Sequence, residues 1–474
     1  MSQGLHVLTD DQIRELLENL TLDELESFRT ELRGTLHEYS TGTNVTDAGL
    51  LHQPERVSVN SGVTGTTTLF MPSTGPGGHA VKVITLSSSS AQHVDDPRPR
   101  VPPTGAITLF AASGAPVGIL HASTLTAFRT ALASACLLIR RNKVHTLTVF
   151  GSGSQAYWHI RLALMLRGTT IRKVNIINRR FSDGCKLVLK RFYNTPTATK
   201  EREGWRDATF HVLTPGYGEY PRLLEQQVLA ADVIFCCTPS TEPLFDGGIL
   251  TSRDGRRKGR LIVAIGSYTT EMRELPVELL LQATRAHEGH FHYHKHAVEG
   301  GVVVVDTLDG ALKEAGEIIE AGLQPKQLVE LGELVMLQKI VMAEDEESDT
   351  SSILSTPGSA DRSDLTASSS SAMSSVFGGS SKRSSSLSRE SASRTPSPSN
   401  RKSGKLPLPF HRRSSSRGDV GGKHSEKEDH LARWLQGGNV IYKSVGLGLM
   451  DLAVGIKLIQ FAKEKGIGTH VDGF

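Results

Sequence analysis

Gly151, Gly153 and Ala156 fall in a G-x-G-x-x-A spacing. The apolar run Val144 to Phe150 comes just before it, and apolar residues at helical spacing, Tyr157, Ile160, Leu162 and Ala163, come just after. Glycine at the first two positions permits a tight turn and lets a pyrophosphate approach the amino end of the next helix, where N–H groups and the helix dipole favour an anion. Another apolar run, Val174 to Ile177, follows and ends in Asn178, Arg179 and Arg180. A site that prefers NAD usually offers an Asp or Glu to the ribose hydroxyls at that place, whereas a guanidinium suits the 2′-phosphate of NADP. The spacing implies a dinucleotide site with NADP(H) preferred and NAD(H) as the alternative cofactor.

Arg129 is a second candidate, a charge on the apolar helix that carries Leu125, Phe128, Ala131, Leu132, Ala135 and Cys136. Such a charge needs a partner. Two readings stand open: a structural pair or a route to the surface, or a cleft position holding a ligand carboxylate bidentately. Three further apolar runs, Ala231 to Cys237, Leu261 to Ile265 and Val302 to Val305, each end in small polar residues, among them Thr238, Ser240, Ser267, Tyr268 and Asp306. Such strand ends form the ligand-bearing edge of a parallel sheet. His287, His290, His292, His294 and His296 have spacing that could place them on one strand face, but a polar loop inserted between Leu281 and Val302 is the blander account and no metal is expected. Cys136, Cys185, Cys236 and Cys237 lack CxxC spacing and read as buried thiols.

The elements that must position these residues begin with two capping boxes, Thr9 with Gln12 and Thr21 with Glu24, each opening an apolar helical pattern. Gln53 to Pro72, Ala80 to Leu86 and Ala106 to Phe110 read as strands of a mixed sheet. A chain of 474 residues with 38% hydrophobic content holds two or three domains. Its net charge of +3 and 5% aromatic content argue against a nucleic-acid partner. The start lacks the basic and apolar pattern of a signal peptide and no stretch resembles a membrane span, so a cytoplasmic protein without a membrane partner is expected. From Glu344 an acidic run leads into Ser-rich sequence reaching about Lys423, which reads as a disordered insertion, with phosphorylation as the functional alternative, for which Ser384 to Ser386 and Arg412 to Ser416 offer basic surroundings. Apolar periodicity returns at Leu431 to Leu435 and Val440 to Phe461.

Taken in order, QPERVSV from Gln53, FMP from Phe70, VKVITL from Val81, the LTAFRTALASA helix, GSGSQA from Gly151, INRR from Ile177, ADVIFCCTPS from Ala231, AIG from Ala264, REL from Arg273, LGELV from Leu331 and YKSVGLGLMDLA from Tyr442 resemble the ornithine cyclodeaminase and mu-crystallin family. The resemblance implies an α/β fold in which residues 141–340 form a Rossmann-type NAD(P)-binding domain. Residues 1–140 would begin a mixed α/β substrate-binding and dimerisation domain, completed by residues 430–474 after the Ser-rich insertion at 345–425. It implies a homodimer acting on a small α-imino or α-amino acid. By the family pattern Arg56 and Arg129 bind the substrate carboxylate, Lys82 is the catalytic lysine in the cleft, and Thr104 and Val445 are substrate contacts. Gly151, Ser152, Gly153, Ser154, Gln155, Asn178, Arg179, Thr238 and Ser444 match cofactor positions.

The chemistry agrees with these roles. Two arginines from separate elements can fix a carboxylate, and a buried lysine beside positive charge can exchange a proton with an imine nitrogen. One position departs from the family: Tyr268 stands where the cyclodeaminases carry an acid, two residues past the glycine of AIG. The leading expectation is an NAD(P)H-dependent ketimine reductase. The alternatives are an NAD-dependent cyclodeaminase converting ornithine to proline and ammonia, and a non-catalytic NADP-binding protein.

Overall fold

The computed structural model describes residues 4–42, 51–87, 101–285, 301–334, 431, 432 and 434–474. The Ser-rich stretch 345–425 and the histidines from His287 to His296 lie outside the described residues. Two sheets organise the rest.

The first lobe contains β1 (Leu5–Leu8), α1 (Asp10–Glu18), α2 (Leu22–Gly42), β2 (Val57–Ser61), β3 (Thr66–Gly75), β4 (Gly78–Ser87), β5 (Thr104–Phe110), β6 (Pro116–His121) and α3 (Ala122–Leu138). Both capping boxes form: Thr9 opens α1 with reciprocal bonds to Gln12, and the Thr21 and Glu24 pair opens α2. The seven-stranded sheet has the order β15-β1-β6-β5-β4-β3-β2, where β15 is Thr469–Val471 near the carboxy end. Burial alternates along β4, with Ala80, Lys82 and Ile84 on the covered face and Val81 exposed on the other. Val57, Val59 and Phe70 share the exposed side with Val81 by register. α3 is buried almost all round and packs between the lobes against α2, β5 and the first helix of the second lobe, which is why it is apolar on every face.

The second lobe runs β7 (Thr146–Phe150), α4 (Ser154–Arg167), β8 (Lys173–Ile177), α5 (Asp183–Asn194), α6 (Thr197–Glu203), β9 (Thr209–Leu213), α7 (Tyr220–Ala230), β10 (Val233–Cys236), α8 (Gly247–Thr251), β11 (Leu261–Ala264), α9 (Val277–Ala283), β12 (Val302–Val305), α10 (Leu308–Glu314), α11 (Gly316–Glu320) and β13 (Leu328–Glu330). The carboxy-terminal segment adds β14 (Val440–Lys443) and α12 (Gly448–Lys465). All eight strands of this sheet are parallel, in the order β13-β12-β14-β11-β10-β7-β8-β9. Alternate residues go to two separate cores, Leu147, Val149 and Val263 to one and Phe150, Ile234 and Ile262 to the other, as a sheet covered on both faces requires. The order reverses between β7 and β10, which is the switch point where such sheets bind ligands.

The carboxy-terminal segment corrects one boundary. It was expected to complete the first domain, and α12 and β15 do pack on that lobe, but β14 lies inside the parallel sheet between β11 and β12. Its residues Val440, Ile441 and Tyr442 are buried and apolar enough to serve a central strand, so pairing on both sides outweighs continuity with α12. The β1 strand, paired with β6 and β15, was not anticipated from the sequence.

Candidate functional site

At the end of β7 the chain turns at Gly151, whose φ of +106° favours glycine. A Cβ there would lie 2.9 Å from the Cys237 carbonyl oxygen and 3.0 Å from Thr238 Cγ2, so the turn packs directly on the end of β10. Gly153 caps α4 without a side-chain bond, and nothing lies within 4 Å of a Cβ placed on it. The Gln155 Oε1 atom beside it is buried without a hydrogen-bond partner among the described residues. An open helix amino terminus over a glycine turn fits the pyrophosphate of a dinucleotide, held by the backbone of Gly151 to Gln155. Asn178 Nδ2 donates to Ser152 Oγ at 3.1 Å and to the Arg180 carbonyl at 3.0 Å, tying the turn to the end of β8, where Arg179 is exposed. Ser154 is exposed at the start of α4.

Beneath this edge three buried carboxylates fix the neighbouring loops. Glu274 accepts from the backbone N–H of Thr238 at 2.8 Å, Gly266 at 2.7 Å and Ser267 at 3.2 Å. Burial pushes its carboxyl up to about 7, with Lys443 opposing. Lys443 donates to the Ser267 carbonyl at 2.6 Å and pairs with Glu317 at 3.3 Å. Asp306 accepts from Ser444 Oγ at 2.7 Å, from Gly446 N at 2.8 Å and from the Tyr442 hydroxyl. The hydroxyl of Ser444 is thus committed to shaping the loop that follows β14.

That loop faces three cations from the first lobe. Lys82 on β4 is 2% exposed and donates to Asp451 Oδ2 at 2.6 Å, while Arg129 on α3 is 3% exposed and donates through Nε to Asp451 Oδ1 at 3.1 Å. Asp451, on the first turn of α12, has no exposure at all. Arg129 Nη1 also meets Met450 Sδ at 3.3 Å, and a Cβ on Gly446 would lie 3.0 Å from Arg129 Nη2. Arg56 donates to the carbonyls of Val445, at 3.2 Å, and Tyr268, and pairs with Glu314 at 2.7 Å. The backbone of Val445 and Gly446 therefore touches both arginines. Burial pushes the Lys82 ammonium down to about 8; Asp451 opposes the shift, and Arg129 and Arg56 add to it.

Lys82, Arg56, Arg129 and Val445, all expected from the sequence, meet here. Thr104 does not join them: it is exposed at the start of β5 opposite Thr85, three register positions from the Ile107 that faces Lys82. Tyr268 contributes its carbonyl, and burial pushes its phenol up to about 12, so the hydroxyl stays protonated. Asp451 and Glu314 were missed. Asp451 carried a usable signal, because a lone acid in the apolar run Leu447 to Val454 needs a buried partner just as Arg129 does. Glu314 lies in an ordinary amphipathic helix and carried none.

No family model matches the chain. It is similar to an uncharacterized protein of Saccharomyces cerevisiae, 25% identical over 71% of this chain and 88% of that protein. It is also similar to an uncharacterized cyclodeaminase of Dictyostelium discoideum, 31% identical over 40% of this chain and 52% of the relative. A Δ1-pyrroline-2-carboxylate reductase of Colwellia psychrerythraea is 27% identical over 54% of this chain and 69% of the relative. Among solved structures, the Δ1-pyrroline-2-carboxylate reductase of Thermococcus litoralis in complex with NADH and L-proline superposes with a TM-score of 0.58 at 16% identity, over 98% of this chain and all of the other. That structure shares the fold, and the sequence similarity to a cyclodeaminase and to reductases of cyclic imino acids extends, at low identity, over part of the chain.

Proposed function

We propose that the protein is an NAD(P)H-dependent oxidoreductase that reduces a small or cyclic α-imino acid, a ketimine. Its relatives' activities support a nicotinamide-linked enzyme of small cyclic amino or imino acids. The observation that carries the finer reading is the buried set of Lys82, Arg129 and Asp451 facing the ligand edge of the dinucleotide sheet. Two cations share one carboxylate almost without solvent, and Arg56 adds a third positive charge at the mouth. Such a site attracts a small anion.

A bound reduced nicotinamide would supply the hydride to the α-carbon. The substrate carboxylate binds Arg129 and Arg56, and the Lys82 ammonium donates the proton that the imine nitrogen takes up. Asp451 favours the protonated form of Lys82 and holds it beside Arg129. The protonated Tyr268 phenol cannot replace the carboxylate of a cyclodeaminase, which favours reduction over ring-closing deamination. NADPH is the preferred cofactor because Arg179 follows β8 at the place of the ribose acid. The exposed strip Val57, Val59, Phe70 and Val81 is the contact for a second copy in a homodimer.

A cofactor-consumption screen over cyclic ketimine acids, pyruvate with ammonia or methylamine, and ornithine tests this. Oxidation of NADPH by a ketimine is the expected result. Proline and ammonia formed from ornithine would establish the cyclodeaminase instead, and cofactor binding without turnover would establish a binding protein. Arg179→Ala should weaken NADPH roughly tenfold or more while changing NADH little, since only NADPH carries the extra phosphate. Equal losses for both cofactors would reject the NADP assignment.

A further inference from the structure

The two arginines of the site are neutralised in different ways. Arg129 pairs with Asp451, which has no exposure and cannot leave without stranding two buried cations. Arg56 pairs with Glu314, whose side chain is 29% exposed and ends the seven-residue helix α10 at the cleft mouth. Its carboxyl can rotate into water. Burial and neighbouring acids raise the Glu314 carboxyl while Arg56 opposes them, so this contact alone keeps the charge comfortable where it sits.

We propose that Glu314 is the resident counter-ion of Arg56 and sets the affinity of the anion site, a small carboxylate ligand entering by taking its place on the guanidinium. This rests on the carboxylate-binding role of Arg56 and Arg129 argued above. Arg56 spends its other bonds on the Val445 and Tyr268 carbonyls, which fix the guanidinium in place, so the Glu314 position is the one an incoming anion can use. The exchange conserves charge. Lys82, Arg129 and Arg56 stand against Asp451 and Glu314 before it, and against Asp451 and the ligand after it.

Calorimetric binding of pyruvate to the full chain tests the exchange without depending on turnover. Glu314→Gln should tighten pyruvate roughly fivefold or more, because the competitor and its charge are gone. Glu314→Asp, which keeps the charge, should stay closer to the parent protein. Glu55→Gln removes an acid one residue from Arg56 without touching its guanidinium, and should change binding less than twofold or so by general charge alone. In turnover, Glu314→Gln should lower the KM for the imino acid without raising kcat. Unchanged or weaker pyruvate binding in Glu314→Gln, with Arg129→Ala still weakening it, overturns the proposal and leaves the carboxylate site standing. Equal tightening in Glu314→Gln and Glu55→Gln overturns it in favour of a general field. If Arg129→Ala leaves pyruvate binding unchanged, the carboxylate site falls, and this proposal falls with it.

Discussion

Lys82 sits on the covered face of β4 between Ala80 and Ile84, a position that alternation assigns to an apolar side chain. Keeping an ammonium there requires Asp451, and the pair makes the proton chemistry measurable. As a donor, Lys82 works in its protonated form, so kcat should fall as pH rises through about 8. Lys82→Ala should lower kcat about a hundredfold or more and flatten that alkaline limb, with NADPH affinity near the parent value. Nearly full kcat with an unchanged profile would remove the proton-transfer role. Asp451→Asn acts in the opposite sense on the same limb. Without the carboxylate that favours the ammonium, the Lys82 pKa falls further and the limb moves to lower pH, while breaking the buried pair costs about 3–5 kcal/mol of stability. Thermal melting and a pH–rate profile of this variant check both parts. The sequence disclosed the cations here more readily than their anions, because Arg129 in an apolar helix is conspicuous, whereas Asp451 becomes conspicuous only once α12 is known to cover β4.

The glycine turn, α4 and the strands around them were legible, since the apolar runs of a doubly covered parallel sheet and the G-x-G-x-x-A spacing are local signals. The placement of β14 was not. Four apolar residues announce a buried strand but not its neighbours, and the choice between β11 and β12 depends on partners far along the chain. The outer face of β2, β3 and β4 is legible in the same limited way: alternation marks Val57, Val59, Phe70 and Val81 as one side but does not say what covers it. If that side joins two copies, Val59→Lys with Phe70→Glu should shift the protein from dimer to monomer in light scattering while the fold survives, because neither side chain enters the core. A dimer of unchanged strength would place the contact elsewhere.

At the scale of the whole molecule, the residues proposed for cofactor and for substrate come from different lobes, and the cleft is bridged by Arg56 reaching the loops after β11 and β14 and by the Glu55 and Lys313 pair. Deleting residues 346–423 should leave melting temperature and cofactor affinity close to those of the full chain. The cost of a longer connection grows only slowly with length, and the residues kept on either side suffice for the crossover from β13 to β14. Loss of soluble protein on this deletion would show that the stretch takes part in folding. The position of β14 also has a consequence for how the chain is made. On the ribosome, β7 to β13 emerge well before Val440, so the nascent nucleotide lobe holds β11 and β12 without the strand that joins them. Both would expose unpaired backbone edges, which invite mispairing, until β14 emerges. A chain stalled before Val440 should therefore bind no dinucleotide, although every residue of its glycine turn has already been synthesised.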